Sequence, residues 1–187
     1  MTDRDGQKEE ERSILRELGG WILYILIIVV LTYLIITFVG QRTRVSGSSM
    51  ETTLSDGDNL IVDKLSYHFK EPKRFDIIVF PYKHEENTYY IKRIIGLPGD
   101  TVQVVDGYVY IDGELLESDT YGAEVMTTAD LAAEPIQLGE DEYFVLGDNR
   151  NNSEDSRFAN IGNVREDYII GKAWFIIAPR DKLGLMK

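Results

Sequence analysis

The amino-acid sequence predicts a mainly β protein, either a folded antiparallel sheet or a partly closed, barrel-like domain, with one N-terminal transmembrane helix. The helix is indicated by residues 21–39, an apolar stretch without a charged side chain. The β domain is indicated by short runs of β-branched and aromatic residues after Gly40, separated by turn-forming residues. We therefore divide the 187 residues into an N-terminal segment (1–20), a membrane anchor (21–39) and a β domain (40–187).

The apolar stretch has the length and composition of a membrane anchor. Its 19 residues would span roughly 28 Å as a helix, close to the ~30 Å hydrocarbon core of a bilayer. Trp21 and Tyr24 lie at one end, and aromatic residues of this kind favour the bilayer interface. A cleaved secretory signal is the alternative. Its apolar region is typically ~7–15 residues long and is followed by a small-x-small cleavage site, and neither feature is present here.

Basic residues near the two ends of the stretch favour one orientation. Four of them precede it, and two, Arg42 and Arg44, follow it shortly. The side with more basic residues is usually cytoplasmic, so the N-terminus is expected inside and the β domain outside. The sequence thus predicts a single-pass protein of the cell membrane, with a short charged helix over residues 7–18 in the cytoplasm.

Short strands are predicted throughout the β domain. Asp106-Gly107 lies between two of them and is typical of a two-residue hairpin turn. Residues 117–139 lack the strand pattern and are predicted to form a long loop or a small excursion. The predicted strands are 59–62, 76–80, 89–95, 101–105, 108–111, 143–146 and 168–177.

Composition excludes several functions. With 20 Lys and Arg against 32 Asp and Glu, the net charge of −12 does not favour nucleic-acid binding, which needs a basic face. The absence of cysteine excludes thiol catalysis, thiolate metal sites and disulfides. The two histidines, His68 and His84, lie in polar, charged surroundings typical of a surface, so a Ser-His-Asp triad is not favoured.

Ser49 is a candidate nucleophile close to the predicted membrane. It follows the last residue of the apolar stretch by ten positions. At no more than ~3.6 Å per extended residue, Ser49 lies within roughly 36 Å of the end of the stretch. A nucleophile at this place suggests chemistry on a substrate that is itself in the membrane.

Lys92 is a charged residue in the middle of an apolar predicted strand. It lies on the same strand face as Tyr90 and Ile94, and Arg93 lies on the other face. The simpler interpretation is a lysine whose long stem lets its amine reach water. If the amine is buried instead, desolvation lowers its pKa from ~10.4 by up to ~3–5 units, and a drop of ~3 costs roughly 4 kcal/mol. A neutral amine can take the proton from a serine hydroxyl.

A third polar segment, residues 147–157, directly follows a predicted strand. Its Asp, Asn and Ser side chains predict a loop held by side-chain to backbone hydrogen bonds. A calcium-binding loop is the rival interpretation. It is not favoured, because Ser153 stands where that motif needs glycine and Ala159 where it needs a bidentate glutamate.

These three segments together resemble the signatures of bacterial type I signal peptidases, in the order that the family has them. The small size and the single predicted span resemble the Gram-positive branch. The resemblance covers about residues 20–180. It rests on Gly47-Ser48-Ser49-Met50 with Thr53-Leu54, Tyr90-Ile91-Lys92-Arg93 with Gly96-Leu97-Pro98-Gly99-Asp100, and Gly147-Asp148-Asn149-Arg150 with Asn152-Ser153 and Asp155-Ser156-Arg157.

The resemblance implies a role for each matching residue. Ser49 would be the nucleophile and Lys92 the general base of a Ser/Lys dyad, with Ser153 orienting the Lys92 amine. The backbone N–H of Ser49 would form part of the oxyanion hole. In the Gram-negative branch a serine two residues before the nucleophile adds a second donor, but this chain has Gly47 there. The supporting residues would be Asp148, Asp155 and Arg157, and the substrate groove would include Gly47, Met50, Leu54, Tyr90 and Ile91.

Two positions depart from the family pattern. Thr52 stands where proline is usual, so the loop after Ser49 lacks the constraint that proline places on φ. Asn151 stands where aspartate is common, which removes one potential ion pair. Neither position belongs to the dyad.

The expected function is that of a membrane-anchored serine endopeptidase. It would cleave N-terminal signal peptides from exported preproteins after small-x-small sites, through an acyl-enzyme. Its partners would be the preproteins and the lipid bilayer, with no cofactor, no metal and no nucleic acid. Two other classes share some of these features. Self-cleaving repressor domains also have a Ser/Lys dyad but carry a DNA-binding segment, and a silent β module would bind peptides without cutting them.

Overall fold

The computed structural model describes residues 17–33, 40–82 and 88–186. The chain divides into two compact units, residues 1–39 and residues 40–187. In the first unit, residues 17–33 are helical and their side chains are exposed. No helix within the described residues combines the length and the apolar character needed to cross a membrane. Residues 34–39 of the predicted anchor lie outside the described residues, as do residues 7–16 of the predicted charged helix.

The second unit is built from β-strands, which agrees with the predicted fold class. Its described residues contain twelve strands in two sheets, and every strand pair is antiparallel. The strands are β1 (Gly40–Arg44), β2 (Asn59–Asp63), β3 (Ile77–Pro81), β4 (Tyr89–Gly96), β5 (Thr101–Val105), β6 (Tyr108–Ile111), β7 (Glu114–Leu115), β8 (Ile136–Gln137), β9 (Glu142–Leu146), β10 (Val164–Arg165), β11 (Gly171–Ala178) and β12 (Gly184–Leu185). Short 3₁₀ helices lie at Ser66–His68, Asp130–Ala133, Glu166–Tyr168 and Arg180–Lys182.

The larger sheet is open. Its strand order is β1-β2-β11-β3-β4-β9-β10, with β12 paired to β11, and among the described residues β1 and β10 do not pair with each other. The smaller sheet has the order β7-β6-β5-β8. The described residues therefore form open antiparallel sheets and no closed barrel, which agrees with the predicted folded antiparallel sheet.

Strand β4 is buried on both faces over residues 92–96, because two separate hydrophobic clusters pack against it. Ile94 belongs to a cluster with Ile78 and Val145, whereas Ile95 belongs to a cluster with residues of the smaller sheet. Both isoleucines are fully buried, and burying each contributes roughly 1.5–3 kcal/mol. Charged side chains on either face of β4 are consequently shielded from water.

The hairpin predicted at Asp106-Gly107 is confirmed. Val105 pairs with Tyr108, so the turn between β5 and β6 has two residues. Both have positive φ, 51° for Asp106 and 81° for Gly107, as the favoured two-residue hairpin turn requires. Glycine takes this conformation at little cost, and aspartate takes it more readily than most residues.

Candidate active site

Ser49 lies in a turn that follows β1, and the hydrophobic core fixes that turn. Met50 and Leu54 are buried in the cluster that includes Leu60 and Ile77. The backbone N–H groups of Thr53 and Leu54 both donate to the carbonyl of Met50, each at 2.8 Å. Because its neighbours are held in this way, Ser49 is presented at the surface of the turn with its side chain half-buried.

Lys92 projects from β4 toward this serine. Its Nζ lies 2.7 Å from Ser49 Oγ, at hydrogen-bonding distance, and 5.0 Å from the centre of the Tyr90 ring. The side chain is only 1% exposed. Burial lowers the pKa of the Lys92 amine from 10.5 to about 8, against the opposing attraction of Asp155, Glu154 and Asp148. About half of the amine is therefore neutral near pH 8.

The loop 147–157 contacts the Ser49 turn directly. The Asn149 backbone N–H donates to the carbonyl of Ser49 at 3.1 Å. The Asn149 amide donates to the carbonyl of Ser48 at 3.1 Å, and the Asn152 amide donates to the Ser48 hydroxyl at 2.8 Å. These bonds position the backbone on both sides of the nucleophile candidate.

Gly147 permits the close approach of this loop. A Cβ at this position would lie 2.2 Å from Ser153 Oγ and 2.4 Å from the carbonyl oxygen of Ser49. Backbone cannot move away as a flexible side chain can, so any side chain at position 147 would displace the Ser49 turn.

Asp148 holds the loop against β4, through a partner that the sequence analysis did not assign to the site. The Arg93 guanidinium donates to both Asp148 carboxylate oxygens, at 2.8 and 2.7 Å, and both side chains are buried. The Thr53 hydroxyl donates to the same carboxylate. Asp148 thus links β4 to the Ser49 turn by charge-assisted bonds.

Asp155 and Arg157 close the loop on itself. The Arg157 guanidinium donates to both Asp155 carboxylate oxygens, at 2.8 and 2.9 Å, and also to the carbonyl of Arg150 at 2.6 Å. The Gly147 backbone N–H donates to Asp155 at 3.1 Å. The pair is buried, with side chains 1% and 0% exposed. It fixes the shape of the loop, and its negative member, Asp155, attracts the protonated Lys92 amine.

Part of the excursion 117–139 docks on the same loop. The Tyr121 ring lies 3.6 Å from the guanidinium carbon of Arg93, and Asp119 accepts a bond from Arg150 at 2.6 Å. Asn151 accepts a bond from the Thr127 backbone N–H at 2.8 Å and donates to Glu124 at 3.1 Å. An aspartate at position 151 has no N–H to donate, so asparagine suits this contact with a carboxylate.

Two predicted roles differ from the observed geometry. Ser153 Oγ is buried and, within the described part of the chain, has no hydrogen-bond partner. The predicted bond from Ser153 to the Lys92 amine is therefore not formed here. Leu54 is 0% exposed and packs in the core, so it does not line the groove as predicted.

A groove of about 580 Å³ opens beside Ser49 and Lys92. Four of the five predicted groove residues line it, namely Gly47, Met50, Tyr90 and Ile91. Among the described residues no group of acidic or histidine side chains is arranged to hold a metal ion.

The chain is similar to known proteins over most of its length. The family described as "Signal peptidase, peptidase S26" matches residues 18–178. "Signal peptidase I" of Leptolyngbya laminosa is 44% identical over 163 residues, which are 83% of this chain and 77% of that protein. "Signal peptidase I" of Bacillus licheniformis is 38% identical over 185 residues, which are 93% of this chain and 97% of that protein. A solved signal peptidase I of Enterococcus faecalis V583 is 36% identical and has a TM-score of 0.46, covering 55% of this chain and 97% of that one.

Proposed function

Because the chain belongs to the signal peptidase family, peptidase S26, we propose that it removes N-terminal signal peptides from exported preproteins, cutting after small-x-small sites. The observation that carries this proposal is the 2.7 Å approach of Lys92 Nζ to Ser49 Oγ. A serine whose hydroxyl meets a buried, partly neutral amine is equipped for acyl transfer.

In the proposed reaction Ser49 is the nucleophile and Lys92 the general base. The neutral amine takes the proton from the Ser49 hydroxyl as Oγ attacks the scissile carbonyl carbon. The tetrahedral oxyanion accepts a bond from the Ser49 backbone N–H. Lys92 then gives the proton to the leaving amine, and the C–N bond breaks to leave an acyl-enzyme. Water, deprotonated by Lys92, hydrolyses the ester and regenerates the serine.

The supporting residues hold this geometry without entering the reaction. Asp148 and Arg93 tie the loop 147–157 to β4, and Asp155 with Arg157 fixes the shape of that loop. The substrate would lie extended in the groove and bond through its backbone, with specificity from pockets for alternate side chains.

We further propose that residues 21–39 anchor the protein in the cell membrane, with residues 1–20 in the cytoplasm and the catalytic domain 40–187 outside. The support is the 19-residue uncharged sequence and the exposure of the apolar side chains over 21–33 in the described helix. An anchor of this kind would raise the effective concentration of enzyme and membrane-bound preprotein.

The test of the nucleophile is cleavage of a preprotein with a small-x-small site by the purified full chain. Ser49→Ala is expected to lower kcat/KM by at least about 10³-fold, because the attacking atom is removed. Ser118→Ala, an exposed serine outside the groove, is the matched control and should keep native activity. Turnover by Ser49→Ala comparable to that of the control would refute the proposal.

The pH dependence tests the general base. Only neutral Lys92 can accept the proton, so kcat/KM should fall about tenfold per pH unit below an apparent pKa of about 8. Above that value it should reach a plateau. The measurement is kcat/KM from pH 5 to 10, and a rate that stays constant down to pH 5 would exclude Lys92 as the base.

A further inference from the structure

The groove beside the dyad has a single carboxylate among its described lining residues, that of Glu154. The other charged side chains that line it are Arg44 and Lys92. Glu154 follows Ser153 and precedes Asp155, both of which are held in the loop, but its own side chain is exposed. The Glu154 carboxylate therefore faces any peptide that binds in the groove.

The Glu154 carboxylate is held in position by neutral groups. The Tyr90 hydroxyl and the Asn160 amide both donate to its Oε2, each at 3.2 Å. No ion pair of Glu154 is found within the described residues. Within the described residues the Glu154 carboxylate is therefore oriented by two neutral donors without an ion pair, and its Oε1 accepts no hydrogen bond there.

We propose that Glu154 is a specificity-determining residue of the groove, favouring substrates with Lys or Arg, and disfavouring Asp or Glu, at the peptide position that reaches it. The inference rests on the proposed function, because it takes the groove as the place where the preprotein lies. A cation there gains attraction to a carboxylate already fixed by two donors, and an anion is repelled by it.

The effect is expected to be modest, because the carboxylate is exposed and water screens the interaction. Exposed ion pairs typically change an equilibrium constant by up to about fivefold, and like charges act in the opposite sense. We therefore expect kcat/KM for the Lys peptide to exceed that for the Glu peptide by about fivefold at one position. At peptide positions that reach neither Glu154 nor Arg44 the ratio should stay near one.

The experiment uses the full chain in detergent and a set of peptides with one small-x-small site. Each peptide carries a single Lys or Glu at one position near the cut, leaving the two small residues unchanged. In the native protein the Lys:Glu ratio of kcat/KM should peak at one position. Glu154→Gln should bring this ratio to about one, and Glu154→Lys should invert it. Glu140→Gln, which removes an exposed carboxylate outside the groove, should leave it at its native value.

Two features separate charge recognition from a general effect on the dyad. Glu154 raises the pKa of Lys92, so Glu154→Gln should shift the pH profile to lower pH, but equally for both peptides of a pair. The ratio of the two peptides cancels that shift. In the native protein the ratio should also fall as salt rises from 0.05 to ~0.5 M, since screening shortens the range of the charge.

The inference is overturned if the ratio has no peak in the native protein, or if the peak survives in Glu154→Gln. Failure of the proposed function would give a different experimental result. In that case no peptide of the set is cut, or Ser49→Ala cuts them as fast as the native protein does.

Discussion

Lys92→Met is expected to abolish cleavage and at the same time to stabilise the folded protein at neutral pH. Methionine has a similar length and fills the same buried space, but it has no basic nitrogen. Loss of the proposed general base should lower kcat/KM by about 10²–10⁴-fold. The stabilisation arises because burial lowers the pKa of the native amine from 10.5 to about 8. Protonated Lys92 is therefore less stable in the folded protein than in the unfolded chain, where the amine stays protonated up to about pH 10.5.

The sign of this effect follows from proton binding. Between about pH 8 and 10.5 the unfolded chain binds more protons at Lys92 than the folded one, so native stability rises with pH there. Below pH 8 both states are protonated and the full cost of about 3 kcal/mol is present. Removing the amine removes that cost. It also removes the bond to Ser49, which lowers the gain in stability by roughly 1 kcal/mol.

Denaturant unfolding of native protein and Lys92→Met at pH 7 and pH 10 measures the difference. We expect Lys92→Met to be more stable by roughly 2 kcal/mol at pH 7, and the advantage to disappear at pH 10. Lys70→Met, which removes an exposed lysine, should be neutral at both values. A Lys92→Met protein that is less stable than the native one at pH 7 would show that the amine is not buried at an energetic cost.

Arg93→Met is expected to destabilise the catalytic domain strongly. The Arg93 and Asp148 side chains are 1% and 0% exposed, so removing the guanidinium leaves a buried carboxylate without its cation. Breaking a buried pair in this way typically costs about 3–5 kcal/mol. The Asp148 carboxylate would keep only its bond from Thr53 among the contacts described above, and the link from β4 through Asp148 to the Ser49 turn would be lost.

The measurement is the free energy of unfolding of the full chain, with Arg165→Met as the matched control. Arg165 also pairs with aspartates, Asp141 and Asp167, but all three side chains are about half exposed or more. Water already solvates this pair, so its loss should change stability little. If the two substitutions cost the same, burial of the Arg93–Asp148 pair contributes nothing to the fold.

Most of the longer strands were predictable from the sequence, because β-branched runs and turn residues are local patterns. The pairing of Ser49 with Lys92 was predicted from the resemblance of three segments to a family, since the local pattern around Lys92 favoured a lysine that reaches water. Strand β1 was missed, since its residues Gly40–Arg44 are polar and basic. It forms because it pairs with the edge of β2. Local composition does not indicate which separate segments of the chain will pair.

Arg93 and Leu54 show the second limit. The sequence indicated one cation on each face of β4, but not that two different clusters would bury both faces. The assignment of Leu54 to the groove followed from the resemblance to the family. The turn directs it into the core instead, where it is 0% exposed. Ser153 was assigned to the amine by resemblance alone, and hydroxyl orientation depends on sub-ångström placement of the loop.

Because Lys92 and Arg93 are adjacent on β4, catalysis depends on the register in which this strand pairs with its neighbours. A one-residue slip of β4 would exchange the faces of Lys92 and Arg93. Depending on the direction of the slip, either a guanidinium, which stays protonated in proteins, would meet the serine, or an amine would replace the guanidinium beside the buried aspartate. In both cases Ser49 would lose the neutral amine beside it. A single-residue insertion just before Lys92 should therefore silence the peptidase and also destabilise the domain, because it moves Arg93 away from Asp148.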